Sequence, residues 1–184
     1  MRVQLGVQLK QWLIVAIVVW AAAFSAIGSV EHKWQAGEYC GLIIGKSTKD
    51  EVRKKFGKPV WSGKPEEKLI AAEHEGEIWY EYVNVGGLKG RTTIVVGARS
   101  EIVKAVILYP EKMMQTQAIR LYGSEYIERA GKLGPCPTPS EIREFKPPRQ
   151  TEYPVFLVYA HLGTYVSINE DKTVLEIGYL LRCP

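Results

Sequence analysis

The sequence predicts an α+β fold: two tandem units, each a short helical segment followed by a three-stranded antiparallel meander, after an N-terminal membrane helix. Three observations predict it. Trp12–Val30 is an apolar run without a charge, a well-punctuated helix follows at Thr48–Gly57, and two sets of three aromatic or β-branched runs come after helical segments. The expected divisions are residues 1–30, a signal peptide or signal-anchor helix; 31–110, a first α+β unit; and 111–184, a second.

As a helix, the run over residues 12–30 rises about 28 Å, near the thickness of a bilayer core. Arg2 and Lys10 precede it and no acidic residue occurs before Glu31, so the positive-inside rule puts the remainder of the chain outside the cytoplasm. Two readings stand. Ala21-Ala22-Ala23 offers small residues to a signal peptidase, which gives a secreted protein. Alternatively the run continues through Phe24 and Ile27 and stays as a membrane anchor. A buried helix of a soluble domain is disfavoured because the run has no polar stripe.

In the first unit, Thr48 and Glu51 have capping-box spacing, with Asp50 and Glu51 in the first turn and Lys54 and Lys55 in the last. Gly57 stops the helix and Pro59 prevents its resumption. Val52 and Phe56, at i and i+4, form the apolar side of a helix too short to stand alone. Ile78–Val83, Thr92–Val96 and Ile102–Tyr109 are the strands of the first meander, separated by Gly86-Gly87, Gly90 and the turn Gly97–Ser100. One face of the sheet takes the helix and the other meets water, so Glu81 and Lys104 are expected to face solvent.

The order then recurs. Met113–Gly123 ends in Tyr122-Gly123 as the first helix ends in Phe56-Gly57, and Ala118 falls opposite Val52. A Pro-rich passage from Gly134 to Pro139 leads to a short helical turn over Ser140–Phe145, halted at Pro147-Pro148. Val155–Tyr159, Thr164–Ile168 and Thr173–Ile177 are the second set of strands, with a polar turn over Asn169–Lys172 between the last two.

Charge points to no nucleic-acid partner. Of the 24 Lys and Arg, two precede the apolar run, leaving 22 against 20 acidic residues, without the concentrated basic face a nucleic-acid binder shows. Lys46, Lys49, Arg53, Lys54, Lys55 and Lys58 read first as the solvated side of a helix, and as a contact for anionic headgroups second. Cys40, Cys136 and Cys183 are too few for a disulfide scaffold, yet export allows one bridge. A Cys136–Cys183 bridge would close the second unit and leave Cys40 as a thiol; a Cys40–Cys183 bridge remains open, since spacing does not reveal Cα separations. Cys40 lacks a lipobox.

No metal site and no cofactor are expected, because the histidines are scattered and there is no CxxC, HExxH, P-loop or dinucleotide fingerprint. His161, Asp171 and Ser167 supply the residue types of a triad, but Ser167 falls within a strand and lacks a nucleophile elbow. Glu73-His74-Glu75 reads as a solvated polar loop.

Gly45, Thr48, Glu51, Val52, Phe56, Gly57, Pro59, Trp79 and Tyr80 together resemble the SmpA/OmlA (BamE-like) envelope family, with its Gly-x-Ser/Thr-x-x-Glu-Val helix, aromatic-Gly-x-Pro stop and Trp-x-Tyr-type strand. The spacing departs in that Trp79 and Tyr80 are adjacent, with Tyr82 next in alternation. Two such units are similar to the tandem architecture of β-lactamase inhibitory protein. The resemblance covers the first half by motif and the second by order of elements. It implies an assembly or binding module.

The expected function is therefore a non-enzymatic extracytoplasmic protein that binds another envelope protein through its sheet face. Trp79, Tyr80, Tyr82, Tyr159 and Tyr165 are the candidate anchors, because aromatics dominate interface energetics. Strand alternation alone would send about half of them into the core. The alternative is a small-ligand binder or enzyme with Glu81, His161 or Glu176 at a cleft between the units.

Overall fold

The computed structural model describes residues 35–64, 76–131, 134–136 and 154–181. The apolar run 12–30, the Glu73-His74-Glu75 loop and the helical turn expected over 140–145 lie outside them. Among the described residues no helix is long and apolar enough to cross a membrane. Lys33–Pro184 forms one compact unit.

The chain begins with a tight hairpin, β1 (Glu38–Tyr39) and β2 (Leu42–Ile43), then runs α1 (Lys49–Phe56), β3 (Trp61–Gly63), β4 (Glu77–Val83), β5 (Gly90–Gly97) and β6 (Val103–Pro110). It continues with α2 (Gln115–Tyr122), β7 (Ile127–Ala130), β8 (Val155–Tyr159), β9 (Thr164–Ile168) and β10 (Val174–Leu180).

The architecture corrects the predicted α+β class of two tandem three-stranded units. The protein is mostly β, and β3 to β10 form one eight-stranded antiparallel sheet in the order β3-β4-β5-β6-β10-β9-β8-β7. Two strands were added at the edges, β3 and β7. The physical reason for the single sheet is the pairing of β6 with β10, Leu108 opposite Ile177 and Val106 opposite Tyr179, which leaves no break in the ladder where a boundary was expected. Each three-stranded meander would have kept a long apolar edge exposed, and pairing those edges removes both.

Both helices lie on one face of this sheet. Val52 of α1 and Ala118 of α2 are buried in the same apolar cluster as Tyr80, Tyr82, Ile94, Leu157, Tyr159 and Ile177. Burying Val52 alone contributes about 1.5–3 kcal/mol. Each helix is fastened at its start to the turn before a central strand. Lys49 N donates to Glu101 O at 2.8 Å and Gln115 N to Lys172 O at 2.8 Å, while Val103 N and Val174 N donate back to Ser47 O and Met113 O. Glu101 and Lys172 both take positive φ, 55° and 66°, to turn their carbonyls toward the helices.

Helix ends follow the sequence. Thr48 Oγ1 accepts from Glu51 N at 3.3 Å and Glu51 Oε2 accepts from Thr48 N at 2.8 Å, a complete capping box. Gly57 and Gly123 end the helices at φ 78° and 93°, and their N–H groups donate to Arg53 O and Ile119 O. Just before each stop an aromatic ring locks the helix to the sheet: the Phe56 ring centre lies 5.7 Å from that of Tyr82, and Tyr122 5.6 Å from Tyr159.

Candidate functional site

Strand alternation gives the sheet a second face, turned away from α1 and α2. Register places one residue from each of the eight strands in a single row: Trp61, Glu81, Thr93, Ile107, Gly178, Tyr165, Val158 and Ile127. The row begins and ends on exposed apolar side chains, Trp61 at 39% and Ile127 at 40%. Phe156, Val158 and Tyr165, with Leu180 against them, form a small apolar cluster on this face, separate from the main core.

The polar groups of this face are organised around aromatic rings. Arg91 lies with its guanidinium 4.4 Å from the centre of the Tyr109 ring, a cation–π stack, and its Nη1 is 3.5 Å from Glu81 Oε1. Tyr165 donates its hydroxyl to Glu176 Oε1 at 2.9 Å. Burial, and then the Glu176 carboxylate, raise the pKa of Tyr165 above the ordinary phenol value, so the hydroxyl stays a donor. The same two causes raise Tyr109, with Arg91 opposing them. Lys104 Nζ and Glu77 Oε1 pair at 3.3 Å further along.

Gly178 makes this arrangement possible. A Cβ there would run into the Tyr165 ring, so the glycine of the central strand lets that ring lie flat on the sheet. At the edge, a Cβ on Gly63 would sit 2.7 Å from the Trp61 ring, and the indole likewise lies along its own strand.

The five predicted anchors divide between the faces. Tyr80, Tyr82 and Tyr159 are core residues on the helix side, at 5%, 2% and 0% exposure. Trp79 is half-buried on the outer face, and Tyr165 is on that face but covered, at 7%. Sequence reasoning missed Trp61, Val83, Arg91, Ile107, Tyr109 and Ile127. Two signals were available: Gly63 two positions after Trp61, and Gly178 within an apolar strand, each marking a ring that needs room.

Of the residues expected at a ligand cleft, Glu81 and Glu176 share the outer face with Arg91 and Tyr109 near them. His161 is elsewhere, at the β8–β9 turn, lining a cleft of about 370 Å³ with Gln35, Glu38, Tyr122 and Tyr179. Ser167 is buried within β9, and Asp171 accepts from the backbone N–H and hydroxyl of Thr173, which holds its pKa low as a turn cap. Among the described residues no group of three or more potential ligands could hold a metal ion. Cys136 is disulfide-bonded and Cys40 is a free thiol, while Cys183 lies outside the described residues.

What the geometry defines is a mostly-β module with helices packed on one side of its sheet and, on the other, a face whose centre at Thr93, Val158, Tyr165 and Gly178 is buried and whose exposed positions include Trp61, Val83, Arg91 and Ile127. The chain matches no protein-family model, no curated protein and no solved structure.

Proposed function

We propose that this chain is a non-enzymatic extracytoplasmic envelope protein that binds another protein through the sheet face opposite its helices. The observation that supports the reading is the eight-residue row with exposed Trp61 and Ile127 at its ends and the Arg91–Tyr109 stack beside it. Arginine and the large aromatics are the residue types that carry binding energy at protein interfaces, and their pre-stacked arrangement lowers the entropy lost on docking. The apolar run over residues 12–30 supports placement outside the cytoplasm, anchored or secreted.

The test is a pair of substitutions on exposed positions of this face, Arg91→Glu and Val83→Asp, in the full chain purified with cross-linked partners from native membranes. Both positions are exposed, so the melting temperature should hold while a discrete partner band is lost. A partner band retained by both variants overturns the reading. For a small-ligand function, a candidate place among the described residues is the cleft lined by Glu38, Tyr122, His161 and Tyr179. That reading requires a compound whose stabilisation of the protein is abolished by His161→Ala.

A further inference from the structure

Between the end of α1 and the edge strand β3 runs a groove of about 600 Å³ lined by Arg53, Gly57, Lys58, Pro59, Val60, Trp61 and Ser62. It combines three properties. Val60 is 68% exposed, the most exposed large apolar side chain among the described residues, and Trp61 beside it is 39% exposed. Arg53 and Lys58 are exposed and enter no ion pair among the described residues, and none of the described residues lining the groove is acidic. Finally, β3 is the terminal strand of the sheet, paired with β4 alone, so its other edge has no strand partner among the described residues.

Unpaired edges are normally shortened or covered, and β3 is short, with Trp61 as its one apolar side chain, exposed Val60 just before it and the cations Lys58 and Lys64 flanking it. We propose that this groove is a docking site for an extended acidic peptide segment of a partner protein, which adds to β3 as an outer strand. Main-chain hydrogen bonds to the edge would supply affinity. The flat-lying Trp61 indole, on the outer face, would take the apolar side chains on one face of the added strand, and Arg53 and Lys58 would take the carboxylates on its other face. The indole lies along its own strand over Gly63 and forms a wall, and the surface is a groove, which fits a narrow chain better than a flat bilayer. The site shares Trp61 with the eight-residue row but adds main-chain pairing at the β3 edge, and its failure leaves the sheet-face reading to the tests at Val83 and Arg91.

The experiment uses the full chain and fluorescein-labelled hexapeptides of alternating glutamate and valine, with a lysine–valine counterpart and a glutamate–valine version N-methylated at alternate amides. Fluorescence anisotropy should show binding of the acidic peptide that weakens with salt and falls at least about tenfold for the lysine and N-methylated forms. The double variant Arg53→Glu, Lys58→Glu, whose fold is checked by its melting curve, should lose the acidic peptide and gain the lysine one. Equal binding of the N-methylated peptide overturns strand addition, and equal binding of the lysine peptide overturns the charge argument. No binding of any peptide, with binding to phosphatidylglycerol vesicles that needs Arg53 and Lys58, would assign the groove to a membrane and overturn the proposal.

Discussion

The two helices occupy corresponding places on one face of the sheet but are held there by different means. α1 is specified locally: a hydroxyl at Thr48 closes the capping box, Asp50 and Glu51 sit at the positive end of the dipole, and Arg53, Lys54 and Lys55 sit at the negative end. α2 has Met114 at the cap with no side-chain cap bond, no acid in its first turn, and Arg120 as its one basic residue in the last. Only the reciprocal half of its box is made, Met114 N donating to Gln117 Oε1 at 2.8 Å. What α2 lacks in local signals it has in packing. Tyr122 meets Tyr159, hydrogen-bonds the Tyr179 hydroxyl at 2.7 Å, and stands in a cluster that includes Tyr126 and Tyr39. The comparison teaches that the same helix–sheet joint can be fixed by chain chemistry or by tertiary contact.

Alkali should break the second joint first. Burial raises Tyr122 and Tyr179 above the ordinary phenol value and pushes Tyr159 up to about 12. A raised folded value means the stabilisation is complete below the unfolded pKa, about 10, and is lost as pH rises through the folded values. Absorbance at the phenolate band should therefore show these tyrosines ionising together with unfolding, and Tyr122→Phe should move the transition to higher pH. Independent titration of each tyrosine in a protein that stays folded would contradict the tertiary account of α2.

Removing the ring that α2 leans on comes next in size. Tyr159 is 0% exposed, and Tyr159→Ala should cost about 3–5 kcal/mol in denaturant unfolding, in the range for a large buried aromatic. Its buried hydroxyl has no hydrogen-bond partner among the described residues, so Tyr159→Phe should be neutral or slightly stabilising. A large loss for Tyr159→Phe would show that the hydroxyl is held by a group the packing argument omits.

The helix stops should behave alike even though the helix starts do not. At both Gly57 and Gly123 an added Cβ would meet nothing within 4 Å, so substitution costs conformational strain alone. Gly57→Val and Gly123→Val should each lose about 1–3 kcal/mol, since the positive-φ extended region is all but closed to branched residues. A clear difference between the two would mean the stops are not equivalent.

The smallest effect separates the caps. Thr48→Ala should cost about 1 kcal/mol, whereas Met114→Ser should add stability of similar size by completing the box in α2. Chemical denaturation of the two single variants suffices, and a loss on Met114→Ser would show that the exposed thioether contributes more than its place at the cap suggests.

Much of this fold was legible where the residues themselves decide. β4, β5, β6, β8, β9 and β10 were found within a few residues because β-branched and aromatic runs bounded by glycine have few alternatives. β3 and β7 were not, since Trp61-Ser62-Gly63 and Ile127-Glu128-Arg129-Ala130 carry no apolar alternation and are strands only because β4 and β8 offer them an edge. The joining of β6 to β10 was also invisible, because no local pattern states which distant strand a buried edge will choose. Among the site residues, adjacency of Trp79 and Tyr80 says that they face opposite ways without saying which faces the helices. Tyr82, two positions on, then follows Tyr80 into the core.

The most direct measurement on the sheet-face account is site-specific photo-crosslinking in native membranes. A photoreactive amino acid is placed in turn at Val83 and Ile127 on the outer face, and at Arg120 and Leu121 on α2. The account predicts the same discrete protein adduct from both outer-face positions and none from α2. Adducts from α2 alone, or from no position while the protein remains folded, would contradict it.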